Sequence, residues 1–334
     1  MIIYPTPAVL EQRVDRAKYA GQPFALRLAL GEAQLDYHSF DLSILEFYRN
    51  DPRFYYRVDD VFGSIWMKDE HAHDGKTDER DQVYIESFGF SYDDEMNRSV
   101  LVFTRYLAPL SQEHQQIWEA KRLKVRGKMH PDYYRSSLLG TWADHIPILT
   151  ALTLELKHIN AMCDLMHKLH LFRESYHEER LRGFTLLIRP TAKEFNDFVM
   201  LLDQVLSDNI NKDFFRGDIA LEEDFERPDH RIEVRQIGTL SLLEKWIRTK
   251  FTPSDPAVLD RCFAALRKVR KLRQIPAHVP VDDKFDQQFF KDQRQLIIDA
   301  YGAVRLIRLV FKNHPACSEY RVESCLENGK IREW

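Results

Sequence analysis

Apolar residues recur every three, four or seven positions across the last third of the chain: Leu259, Cys262, Leu266 and Val269 in one run, Phe289, Leu296, Ala300, Val304, Ile307 and Phe311 in another. Only a helix brings such positions onto one face, so each run must bury a stripe against a neighbour. Two further runs follow the same rule. Leu240, Leu243, Trp246 and Ile247 follow a start at Thr239 or Ser241, and Phe195, Phe198, Leu202, Val205 and Leu206 follow a capping box at Thr191 and Glu194. Pro256 suits a first helical turn and separates two of these helices. Together they predict an antiparallel helical bundle over residues 239–334, joined by the helix at Glu194.

The front of the chain reads differently. Phe24–Leu30, Phe54–Val58, Val83–Phe88 and Ser99–Leu107 are short apolar or aromatic runs between polar linkers, which predicts a mostly antiparallel sheet with one exposed face. Ser111 caps a helix to about Arg122, and a long helix is expected from Ile148 to Phe172. A strand is expected at Gly183–Pro190, and an exposed acidic connection from Gly217 to Glu233. The expected class is therefore α+β: a β-rich module over 1–145, a mainly helical middle over 146–238 and the bundle over 239–334.

A chain of 334 residues, 44% hydrophobic and 12% aromatic, has enough apolar material for two or three cores. No apolar run suits a bilayer, and Glu11, Arg13, Asp15 and Arg16 stand where a signal peptide needs apolar residues, so a cytoplasmic protein without membrane contact is expected. Cys163, Cys262, Cys317 and Cys325 contain no CxxC pair and are expected to stay reduced. His71 and His73, between Asp69 and Asp74, read as a metal clip or as a solvated loop, the loop being the commoner use of such a pattern. Asp93, Asp94 and Glu95 read as a hairpin turn, with a metal role as the alternative. His158, His167 and His170 lack the carboxylate spacing of a zincin helix and read as packing or solvent contacts. No GxxxxGK or GxGxxG loop occurs, and no cofactor is implied.

The net charge of -4 hides a local reversal. From Phe251 to Lys312 there are twelve Lys or Arg against seven Asp. Lys291, Arg294, Arg305, Arg308 and Lys312 fall along one helical line, which is either a track for a polyanion or a solvated face. Arg267, Lys268, Arg270 and Lys271 sit on the preceding helix and have the same two readings. Arg273 differs, because it continues the apolar line one step beyond Val269. There a guanidinium needs a carboxylate, a carbonyl or a phosphate. His278 follows five residues later, about 140° away on an unbroken helix, and reaches Arg273 only if Pro276 breaks the helix.

Arg273-Gln-Ile-Pro-Ala-His278, at the end of a basic bundle helix, resembles the Arg-x4-His motif of the HEPN superfamily of helical ribonuclease domains, over roughly Thr239–Lys312. Gln274 and Pro276 depart from the residues usual there. The resemblance implies metal-independent RNA cleavage in a site shared by two chains, with Arg273 and His278 catalytic. His278 would move the 2′-OH proton, and Arg273 would stabilise charge on the phosphodiester. It implies RNA contacts from Arg267, Lys268, Arg270, Lys271, Arg305 and Arg308. It also implies a homodimer through the bundle and a role as a toxin or anti-phage effector, with an antitoxin or regulatory protein as a further partner. The alternative is a non-catalytic helical module for dimerisation, RNA binding or partner binding.

Overall fold

A computed structural model describes residues 5–58, 61–72, 83–141, 145–177, 181, 184–227, 230–253, 255–274 and 283–333. The class is α+β, and the chain divides into two compact units, Met1–Ala143 and Asp144–Trp334. The middle and last parts, separate in the sequence reading, share the second unit.

The first unit contains, in order, α1 (Pro7–Arg13), α2 (Pro23–Ala29), β1 (Tyr37–Phe40), α3 (Ile44–Asn50), β2 (Phe54–Val58), β3 (Phe62–Met67), α4 (Asp69–Ala72), β4 (Tyr84–Tyr92), β5 (Arg98–Phe103), α5 (Thr104–Leu107), α6 (Gln112–Ala120), β6 (Lys128–Met129) and α7 (Pro131–Leu138). Its strands form an antiparallel sheet in the order β1-β5-β4-β3-β2, with β6 on β4. Both faces of β5 are covered, against the expected exposed face: all six of its residues are buried. Phe24 of α2 and Trp118 of α6 lie against Phe40 on the side of Val100 and Val102. Tyr133 of α7 stacks on Phe103 from the other side. Gly89 permits that approach, since a Cβ there would come within 2.2 Å of the Tyr133 ring.

Phe24–Leu30, expected as a strand, is the helix α2 for most of its length. The run contains Ala, Leu and Arg but no β-branched residue, so its alternation reflects helix-forming side chains. Pro23 opens the helix, and the Gln115 side-chain oxygen accepts the backbone N–H groups of Phe24 and Ala25, each at 3.1 Å. The strand expected to reach Leu107 stops at Phe103. Ser111 caps α6 as expected, accepting from the His114 N–H. Asp93 holds the β4–β5 turn by accepting from the Glu95 and Asn97 N–H groups.

The second unit contains β7 (Ile146–Pro147), α8 (Ile148–Leu165), α9 (Ala192–Asp203) with a π-helical extension (Gln204–Asp208), β8 (Glu222–Glu226), β9 (Ile232–Gln236), α10 (Thr239–Lys250), α11 (Pro256–Gln274), α12 (Gln288–Lys312), α13 (Ser324–Glu327) and β10 (Ile331–Arg332). α8 packs on α12, and α11 lies between α9 and α12. The Cys262 thiol reaches the Ala303 carbonyl and Lys268 reaches Asp299, so α11 and α12 run antiparallel, as the sequence predicts.

α8 ends seven residues before the expected Phe172. His167 adopts φ 54°, the Lys168 N–H returns to the Cys163 carbonyl, and the His167 N–H returns to that of Asp164. This is a Schellman stop with histidine where glycine is usual, invisible to apolar periodicity. Residues 184–190 are irregular rather than a strand. The buried Gln293 side chain of α12 takes the ladder's place, accepting from the Leu187 N–H at 2.8 Å and donating to the Thr185 carbonyl at 3.0 Å. The acidic connection after Gly217 is exposed as expected, but it forms the β8–β9 hairpin. Among the described residues no helix is long and apolar enough to cross a membrane.

Candidate functional site

Arg273 sits in the last turn of α11, and the carboxylates it needs come from α9 and its extension. Its Nη1 donates to Asp203 at 2.6 Å and also to Asp208. Asp203 is 0% exposed, while about a third of the Arg273 side chain (34%) remains open. Arg270 joins the same group, donating to Asp208 at 2.9 Å with Asp203 at 3.6 Å. The Ser207 hydroxyl holds the other oxygen of Asp203. The two carboxylates lift the Arg273 pKa above its ordinary value, so the guanidinium stays charged.

Sequence reasoning missed these carboxylates for a geometric reason. Residues five apart on an α-helix point about 140° away from each other. The π extension bonds each residue to the fifth beyond it, which brings residues five apart onto nearly the same face. Asp203 and Asp208 therefore converge on one guanidinium.

Three of the remaining cations, Arg267, Lys268 and Arg308, meet carboxylates too. Arg267 pairs with Glu244 of α10, and Lys268 with Asp299 at 3.3 Å. Lys271 is exposed and carries no ion pair among the described residues. Arg308, expected on an RNA-facing stripe, is instead buried (4% exposed) and bonded to the fully buried Glu155 of α8. The apolar faces of α8 and α12 enclose that pair, and burial pushes the Glu155 carboxyl up against the pull of Arg308. Lys312 donates to the carbonyls of Cys317 and Ser318 at 3.1 and 2.8 Å, and Arg294 to that of Glu333 at 3.2 Å. The line 291–312 is therefore no continuous polyanion track. Arg305 keeps no ion pair among the described residues, and its Nε is buried without an acceptor there.

Pro276 and His278 lie outside the described residues, as do His73 and Asp74 of the suggested metal clip. His71 lies 3.5 Å from Glu70. Among the described residues no group of three His, Cys, Asp or Glu side chains is arranged to hold a metal ion. His158 is buried, with Nδ1 hydrogen-bonded to the Tyr320 hydroxyl at 2.8 Å and Nε2 to Glu323, a packing role as expected. No protein-family model, curated protein or solved structure matches this chain.

Proposed function

We propose that the second unit is a HEPN-like ribonuclease module in which Arg273 and His278 act on an RNA phosphodiester in a site completed by a second chain. The observation that carries this reading is the fixed position of Arg273. It projects from the end of a basic helix, anchored on its Nη1 side by buried Asp203 while a third of the side chain stays open. An arginine that stabilises a phosphorane-like state must be held before the substrate arrives, and a buried carboxylate does this. His278 then serves as the proton carrier, a task that suits imidazole because it both takes and gives a proton near neutral pH. Cofactor and metal have no part in this proposal.

A second reading has its own support. Asp203 and Asp208 neutralise Arg270 and Arg273, and Arg267 and Lys268 are likewise paired, so α11 offers a polyanion less free charge than its sequence suggests. Under that reading the unit is a non-catalytic module for a partner chain, and Arg273 stitches α11 to α9.

Cleavage of single-stranded RNA in EDTA separates the two. The ribonuclease reading expects cleavage that Arg273→Ala and His278→Ala each reduce by roughly a hundredfold or more, the scale of losing one transition-state donor or one acid-base group. Thermal unfolding of both variants checks that the fold survives. RNA left intact by the folded wild-type protein, or cleaved by both variants as fast as by the wild type, overturns the catalytic reading.

A further inference from the structure

The β8–β9 hairpin carries an unusual face. Cross-strand pairing sets Glu226 opposite Ile232, Asp224 opposite Val234 and Glu222 opposite Gln236, so these six side chains share one side of the ribbon. Ile232 is 72% exposed and Val234 60%. Three carboxylates flank them, and no lysine or arginine stands on that side within the two strands. Arg235 and Glu233 belong to the opposite side with Phe225, where the Arg235 guanidinium lies 3.6 Å from the ring centroid.

The same unit has an open groove of about 770 Å³ between α11 and α12. Its floor is apolar and small, with Val258, Ala264, Ala265, Gly302, Leu306 and Leu309. A Cβ built on Gly302 meets nothing within 4 Å, so among the described residues nothing fills the space beside it. Around the floor stand Arg261, Lys268 and Arg305 against one carboxylate, Asp299. Arg261 has only a 4.0 Å contact to Asp255, and the buried Nε of Arg305 has no acceptor among the described residues.

We propose that the hairpin of one chain docks into the α11–α12 groove of a second copy. Signs match, an acidic ribbon face against a groove where Arg261 and Arg305 stand beside the Lys268–Asp299 pair, with His230 already on Glu226, and both surfaces expose apolar side chains that water does not favour. Lengths match as well. From Val258 to Lys268 the groove runs about 15 Å along α11 at the helical rise. A five-residue strand spans about 17 Å. Each chain owns one hairpin and one groove, so reciprocal exchange closes a two-fold dimer with two equal contacts. The inference rests on the surfaces of the second unit and does not depend on RNA cleavage.

Light scattering coupled to size exclusion, on the full chain, tests it. The wild type is expected at twice the 39.6 kDa chain mass. Ile232→Lys with Val234→Lys, and separately Ala264→Glu with Gly302→Glu, alter exposed positions and are each expected to weaken the dimer by about a hundredfold, as losing the centre of an interface does. Unchanged circular dichroism confirms folding. Mixing the two variants restores a dimer, because the intact hairpin of one meets the intact groove of the other. A monomeric wild type overturns the proposal, as does a dimer that survives both variants. Loss in the hairpin variant alone, which would mean ribbons pairing edge to edge, overturns it equally. If the dimer forms but RNA is never cut, the ribonuclease reading fails and this one stands.

Discussion

Inside the first unit, one buried network joins neutral partners: the Trp118 indole donates to the Tyr48 hydroxyl at 2.8 Å, Tyr48 meets His114 at 3.0 Å, and Ser39, Ser91 and Ser99 form a hydroxyl chain, while the charge it encloses is Arg98 over the Phe90 ring and Glu32 beside His38. The second unit buries carboxylate–guanidinium pairs, setting Glu155 on Arg308 and Asp203 on Arg273. Both units use aromatic and aliphatic side chains for bulk. The difference lies in what each does with the polar atoms it must enclose. Neutral groups need one good partner, whereas enclosed charges need a counter-charge in fixed geometry and fail badly without it. Stability of the second unit should therefore depend on single carboxylate–guanidinium pairs more than the neutral Trp118–Tyr48 network of the first does.

The severest test is Arg308→Met, which leaves Glu155 enclosed without its partner. A loss of about 3–5 kcal/mol is expected in urea unfolding, with hydrogen exchange assigning it to α8 and α12. The loss grows as pH rises, because the Glu155 carboxyl, already pushed up by burial, must then give up its proton inside the core. Replacing both members, Glu155→Leu with Arg308→Met, recovers most of it. A small loss in the single variant would erase the contrast between the units.

Asp218 gives the next effect. Burial raises its pKa, but donors from Lys168, Trp246 and Lys250 outweigh this and take it down to about 2. A lowered carboxylate stabilises the fold above its unfolded value and loses that contribution as pH falls through the folded one. Between about pH 5 and pH 2 the second unit should lose on the order of 2 kcal/mol. Asp218→Asn should flatten that part of the pH profile.

Tyr48→Phe in the first unit is the smallest. It leaves the buried Trp118 N–H without its acceptor and should cost about 1–3 kcal/mol in thermal unfolding. Burial raises the Tyr48 pKa, so ionisation of the phenol itself adds no pH dependence to this cost between pH 5 and pH 8. A pH-dependent cost would move the first unit towards the second.

Helices declared themselves in the sequence wherever an apolar stripe and a terminal signal coincided, as at α6, α9, α10, α11 and α12. Alternation was a weaker guide. It placed β2, β4 and β5 but turned α2 into a strand, because Phe and Leu alternating with Ala and Arg over seven residues satisfy both patterns, and the lack of β-branched residues, Pro23 and the distant Gln115 decide for the helix. The hairpin was hidden for the opposite reason. Its first strand is acidic and both strands are exposed, so no buried face marks their period.

In the candidate site, Arg273 and its need for an acceptor were readable, since its place on the apolar line follows from chain order alone. Which acceptor it found was not. That depended on a π turn bringing Asp203 and Asp208 together and on α9 lying beside α11. Local spacing along the chain is enough for the α+β order, the helical stripes and the excess of cations near the end of the chain. Packing between elements far apart in the chain is what encloses Arg308, pairs Arg267 and Lys268, and leaves Arg305 at the groove with its Nε unsatisfied among the described residues. The fate of a charge is set by what lies across the interface, and that neighbour comes from elsewhere in the chain.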